Sequence, residues 1–404
     1  MVKENTMKQT EIGLLPEDWE VVKLGNILSY YKLGGNYVTS DLPNQSPLIK
    51  MGNIGRGKIN ISKLEYIIGN INSADLLKYG DLLFNTRNTL ELVGKVSIWR
   101  KELPEAYYNS NLLKLVFKPQ FVSSNFYINA IFNDKRTIKQ LSDIATGTTS
   151  VAAIYTRDLL DIQIPLPPLP EQEAIAEALS DADAWIESLE KLIAKKRLIK
   201  QGAMQELLSP KADWEVKKLG EVTESFSGGT PNTSIDIYYN GDISFITSGE
   251  LNQQRIKSTE NTITQLGLDN SSAKLVNENS LLIAMYGATA GVVAINKISG
   301  AINQAVLAVI SKKNYSVEFL YYFFDLKKEY IIKTYTQGGQ PNLSGGILKN
   351  IEISFPSLTE QTRIATILSD MDAELEALEA QLGKARKVKQ GMMQELLTGR
   401  VRLV

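Results

Sequence analysis

Two stretches of the chain carry one hydrophobic pattern. In residues 171–208, apolar positions step by four and three through Ile175, Leu179, Ala182, Ile186, Leu189 and Ile193. In residues 360–397 the same stepping runs through Ile364, Leu368, Met371, Leu375, Leu378, Leu382 and Ala385. So narrow an apolar seam predicts coiled-coil helices rather than helices lying on a globular surface. The two stretches align without a gap at an offset of 189 residues and are identical at 22 of 38 positions. A repeat of that length dictates the architecture. Pro167, Pro168 and Pro170 end any element before the first copy, and Pro356 does so before the second. Each helix should reach roughly 55 Å at the helical rise per residue. Gly202 and Gly391 are expected kink points near their ends.

Outside these stretches the period changes. Short β-rich runs separated by Gly, Asn and Ser turns fill each half up to about Phe117 and Ile310. Both halves open alike, DWEVVKLG at 18–25 and DWEVKKLG at 213–220. Gly34-Gly35-Asn36 parallels Gly228-Gly229-Thr230, residues 48–53 parallel 244–249, 80–84 parallel 279–283, and 112–117 parallel 305–310. Each half continues with a helical stretch (124–142; 317–334), a polar loop (146–150; 337–344) and a last strand (162–166; 351–355). The apolar window 281–295 is broken by Tyr286, Gly287 and Thr289, is too short to span a membrane, and reads as buried strand. The expected fold is α+β with a pseudo-two-fold internal repeat. Residues 1–167 form one domain, 168–209 a central helix, 210–355 a second domain and 356–404 a C-terminal helix.

Charge orients the helices. Residues 171–190 hold seven acids and no base, and 191–200 hold five bases and no acid. The second copy repeats this, with six acids and Arg363 up to Glu379, then Lys384, Arg386, Lys387 and Lys389. Parallel pairing would set acid beside acid, whereas antiparallel pairing sets each acidic half against a basic one. Single exposed pairs are weak, but their summed sign selects the antiparallel arrangement.

Composition removes several kinds of chemistry. The 404 residues include no cysteine and no histidine. Disulfides, Ser-His triads, histidine metal sites and histidine bases are therefore excluded. The first ten residues lack the apolar core of a signal peptide, and a cytoplasmic protein with no membrane partner is expected. No phosphate loop, no dinucleotide fingerprint and no Asn/Asp-Pro-Pro-Tyr methyltransferase motif occurs. Net charge is −1, but the two helical stretches hold −5 between them, which leaves a mildly basic remainder. Two domains with polar loops, joined by a helical spacer, suit recognition of base edges and phosphates. The alternative is a coiled-coil adaptor that binds protein alone.

The order IGLLPEDWEVVKLG, PLPPLPEQEAIAEAL, KQGAMQELL, DWEVKKLG, GGQPNLSGGILKNI and FPSLTEQTRIATIL resembles the specificity subunits of type I restriction-modification systems over essentially the whole chain. The resemblance implies that each half holds a target recognition domain reading one part of a bipartite double-stranded DNA site. It also implies that the helices set the spacing and bind two methyltransferase subunits. Those partners would carry S-adenosylmethionine and flip and methylate an adenine. Motor-nuclease subunits would bring ATP and Mg, leaving this chain with no cofactor and no catalysis of its own. Candidate DNA contacts in the first domain are Lys32, Asn36, Tyr37, Asn53, Arg56, Lys58, Arg87 and Asn88. In the second they are Thr230, Asn232, Ser248, Glu250, Asn252, Gln253, Arg255 and Tyr286. Arg forks to guanine and Asn or Gln to adenine, while Lys and Tyr more often meet phosphates. The loops 146–149 and 340–344 are candidate backbone contacts. The first of them departs from the Gln-Pro-Asn-Leu-Ser form of the second.

Overall fold

The structure is a computed structural model that describes residues 6–336 and 342–403. Gln340 and Pro341, part of the second candidate loop, lie outside the described residues. The chain forms two compact units, residues 1–190 with 380–404, and residues 191–379.

In the first unit, the strand Leu82–Asn85 lies between Val96–Ile98 and Leu112–Phe117, and Leu28–Leu33 pairs antiparallel on the outer side of Leu112–Phe117. All four residues of Leu82–Asn85 are buried, the apolar run Leu82–Phe84 reading as a strand covered on both faces. A second sheet orders Tyr107–Tyr108, Pro47–Ile49, Glu65–Ile68 and Val38–Ser40. The expected helix over 124–142 is two helices, Asn125–Phe132 and Lys135–Asp143. The break falls at Asp134, whose carboxylate accepts from the Arg136 N–H and starts the second helix. The core joins Trp19, Phe84, Tyr127 and Phe132 to Ile175 and Leu179 of the first long helix and Leu396 of the second.

The second unit repeats this plan with a five-stranded sheet and a four-stranded sheet. The apolar window 281–295 is an antiparallel pair of buried strands, Leu281–Ala284 and Val293–Asn296. Residues 317–334 are one helix, Val317–Tyr335, with Ser316 accepting from the Phe319 N–H at its start.

The long helices are Leu169–Leu207 and Leu358–Leu396. Each has 39 residues and so runs about 58 Å. The first starts before Pro170, because a proline in the first turn lacks only an N–H that would have no helical partner anyway. Both helices continue through Gly202 and Gly391, where an added Cβ would meet nothing. The doubled Glu-Gln at the helix starts has a packing reason. Gln172 is buried, donates to the carbonyls of Pro167 and Phe121, and accepts from the Ser123 N–H. Gln361 repeats this with the Pro356 carbonyl and the Ser316 N–H.

The antiparallel charge pattern is realised within each unit. In the first, Lys389 meets Asp183 at 2.6 Å and Arg386 meets Glu190 at 2.7 Å. In the second, Lys200 meets Asp372 and Arg197 meets Glu379. An offset of 189 maps one set onto the other with the two helices exchanged.

Candidate nucleic-acid interface

The repeated Gly-Gly turn places one polar pair in each domain. Gly34 approaches the backbone so closely that a Cβ would lie 2.1 Å from the Tyr108 carbonyl oxygen, and one on Gly228 would lie 1.8 Å from that of Ile302. Only glycine lets the strand pass. Two residues on, exposed Asn36 accepts from the Ser110 hydroxyl, and exposed Thr230 donates to Gln304 Oε1 at 2.7 Å. The frame is shared and the hydrogen-bonding groups on it differ.

The late loops meet the turn after the central buried strand in both domains. In the first, Thr146–Gly147 and Ala152–Ala153 form a hairpin that pairs with Arg87–Asn88. In the second, Tyr286 bridges Asn342, and the Leu343 N–H bonds the Met285 carbonyl. So Arg87 and Asn88 share a surface with the loop 146–149, and Tyr286 shares one with Asn342. Arg87 and the hairpin tip are exposed. Asn88 is half-buried and accepts from the Thr89 N–H.

Several residues chosen from sequence are occupied by the fold. Lys32 ion-pairs at 2.7 Å with Asp75, whose side chain is 2% exposed, and Tyr37 donates to the same carboxylate at 2.6 Å. Burial, then that hydrogen bond, pushes the Tyr37 phenol up to about 12. Both side chains are held against Asp75. Asn53 is buried, donates to the carbonyls of Asn60 and Lys63, and accepts from the Lys50 N–H, so it fastens a turn rather than reading a base. Glu250 is buried and accepts from the backbone and hydroxyl of Thr247. Arg255 pairs with Glu318 and stacks 4.1 Å from the Tyr321 ring centroid, which removes the free fork that guanine would need. Lys58 lies 3.5 Å from Asp183 on the first long helix.

The others remain at the surface. Arg56 is exposed. Asn232, Asn252 and Gln253 are exposed and brace their own turns through Ser234, Gly249 and Ser258. Ser248 is half-buried and Tyr286 is 40% exposed.

Sequence reasoning passed over Ser110 and Gln304, which only the strand register brings to the Gly-Gly turn. It also passed over an open groove in the first domain lined by Lys50, Asn60, Ser62 and Lys63. The available signal there was the alternation of Asn, Ser and Lys over 58–63. Among the described residues no helix is long and apolar enough to cross a membrane, and no acidic cluster is placed to hold a metal.

One scaffold is thus used twice, with different polar groups on its two rims. Residues 16–196 and 211–385 match the family model for the type I restriction modification DNA specificity domain, and the chain belongs to that family with two copies of the domain. It is 29% identical over 429 residues to the putative type I restriction enzyme MjaX specificity subunit of Methanocaldococcus jannaschii, covering 99% of this chain and 98% of that one. It is 28% identical to the EcoR124I/EcoR124II specificity subunit of Escherichia coli, over 57% of this chain and 60% of that one. A solved type I restriction-modification S subunit from M. genitalium shares the fold, with a TM-score of 0.64 over 98% of both chains at 15% identity. The role is that of a non-catalytic specificity subunit, and two specificity domains fit a bipartite site.

Proposed function

We propose that each unit reads one half of a bipartite DNA sequence with the surface around its Gly-Gly turn and late loop. The observation that carries this is the pair of corresponding rims, Asn36 with Ser110 and Thr230 with Gln304. One frame bearing different donors and acceptors is what two different half-sites call for. Arg87, Asn88 and the hairpin around Thr148 extend the first surface; Asn232, Asn252, Gln253 and Tyr286 extend the second. Arg56 serves a phosphate in this reading.

Each long helix leaves one unit and enters the other without a break, so the connection is measured in helical residues. In the proposal this sets the number of base pairs between half-sites, and the exposed helix faces dock two methyltransferase subunits. Those partners hold S-adenosylmethionine, motor-nuclease subunits hold ATP and Mg, and the complex works in the cytoplasm. The test is exchange of residues 16–165 for the corresponding domain of a relative, followed by methylome sequencing of the host. One half of the methylated motif should change and the other stay. A motif altered in both halves, or in neither, overturns the reading.

A further inference from the structure

We propose that a cavity in the first unit, between the turn carrying Arg56 and Lys58 and the two long helices, binds a single phosphate-class oxyanion. The cavity is about 190 Å³ and is lined by residues that include Arg56, Lys58, Arg100, Lys389, Asp183 and Asn133. At about 30 Å³ per water, that exceeds a single bridging water and accommodates an oxyanion with part of its hydration.

Charge is the main argument. Four of the lining side chains are cations and one is an acid. Asp183 already receives Lys389 at 2.6 Å, Arg100 at 3.3 Å and Lys58 at 3.5 Å, so one carboxylate faces three cations. Arg56 has no carboxylate partner among the described residues. Two of the lining residues, Arg100 and Asn133, each carry a buried polar atom without a partner, Nε and Oδ1.

The repeat supplies an internal control. The corresponding cleft of the second unit is lined by Arg197, Lys200, Arg255 and Lys257. There every lining cation meets a carboxylate: Glu379, Asp372, Glu318 (shared with Lys297) and Glu376 respectively. The excess positive charge belongs to the first unit alone.

Two sources carry the same chemistry, free inorganic phosphate and a phosphate of the DNA backbone. The second rests on the DNA-reading proposal above; the first does not. The experiment is equilibrium dialysis of the full chain against radiolabelled inorganic phosphate, at ionic strength held constant with chloride. One equivalent should bind. Arg56→Ala, at an exposed position, should weaken binding at least tenfold, whereas Lys257→Ala in the second unit should leave it unchanged. Adding a short duplex then separates the sources. Displacement of phosphate assigns the site to the DNA backbone, and retention assigns it to the free ion. No bound phosphate above the chloride control, or uptake unchanged by Arg56→Ala, overturns the site whatever the duplex does.

Discussion

Asp183 and Lys389 lie on different long helices and meet at 2.6 Å, and 189 residues away from each the same pair recurs as Lys200 and Asp372. The two contacts hold the helices in antiparallel register within their units. They are not equivalent in surroundings, because Asp183 also faces Lys58 and Arg100 while Asp372 accepts from the Tyr322 hydroxyl.

That difference predicts unequal rescue. Asp183→Lys should cost about 3 kcal/mol by removing a mostly buried partner from three cations. Adding Lys389→Asp should recover less than half of this, since Lys58 and Arg100 still face the new lysine. Urea denaturation of the single and double variants measures both quantities. Full recovery would show that the helix pair alone sets the energy.

Acid sensitivity follows from the same carboxylate. Burial opposes its charge, but Lys389 first, then Lys58 and Arg100, outweigh burial and hold its carboxyl below the usual 3.8. A depressed folded pKa gives stability that is present above 3.8 and is lost as pH falls through the lower folded value. Asp183→Asn should lower the melting temperature at pH 6 and flatten its fall below pH 4. Parallel melting curves for the variant and the parent from pH 6 to 3 would contradict this.

Gly34 and Gly228 should be the least replaceable residues of the two rims. A Cβ at either falls about 2 Å from a carbonyl oxygen, on a backbone that cannot rotate away. Gly34→Ala or Gly228→Ala should cost about 3 kcal/mol. Gly202→Ala, on an open helix face, should instead stabilise by about 0.5–1 kcal/mol. Thermal melts of the three variants rank them.

Asn53 and Arg87 should separate folding from recognition. Asn53→Ala removes three hydrogen bonds to the backbone of its turn, so it should lower stability by about 1–3 kcal/mol. Arg87→Ala, at an exposed side chain, should leave the melting temperature within a degree or so and weaken DNA binding of the assembled complex about tenfold. Gel shifts beside thermal melts decide it. An Arg87 variant that binds as its parent does would remove that side chain from the interface.

The long helices, their antiparallel sense and the doubled domain plan were legible in the chain because each rests on a repeated local pattern. A seam with steps of four and three needs only helical periodicity, and acidic halves facing basic halves need only the sign of charge. The candidate interface was legible in outline, since Gly-Gly turns and polar loops recur at matched positions. Which side chains remain free on it was settled by tertiary structure. Lys32, Tyr37 and Arg255 read as available polar groups until Asp75 and Glu318 arrive from elsewhere to occupy them, while Asn53 and Glu250 are taken up within their own turns by Asn60 and Thr247. Glu171 makes the point over the longest span. In sequence it is an ordinary first-turn acid, but in the fold it is fully buried, accepts from the Trp19 indole and pairs with Arg402, 231 residues away. Periodicity is written in neighbours and survives in the sequence. The partner of a buried charge is set by which distant segments exclude water together, and only the folded chain decides that.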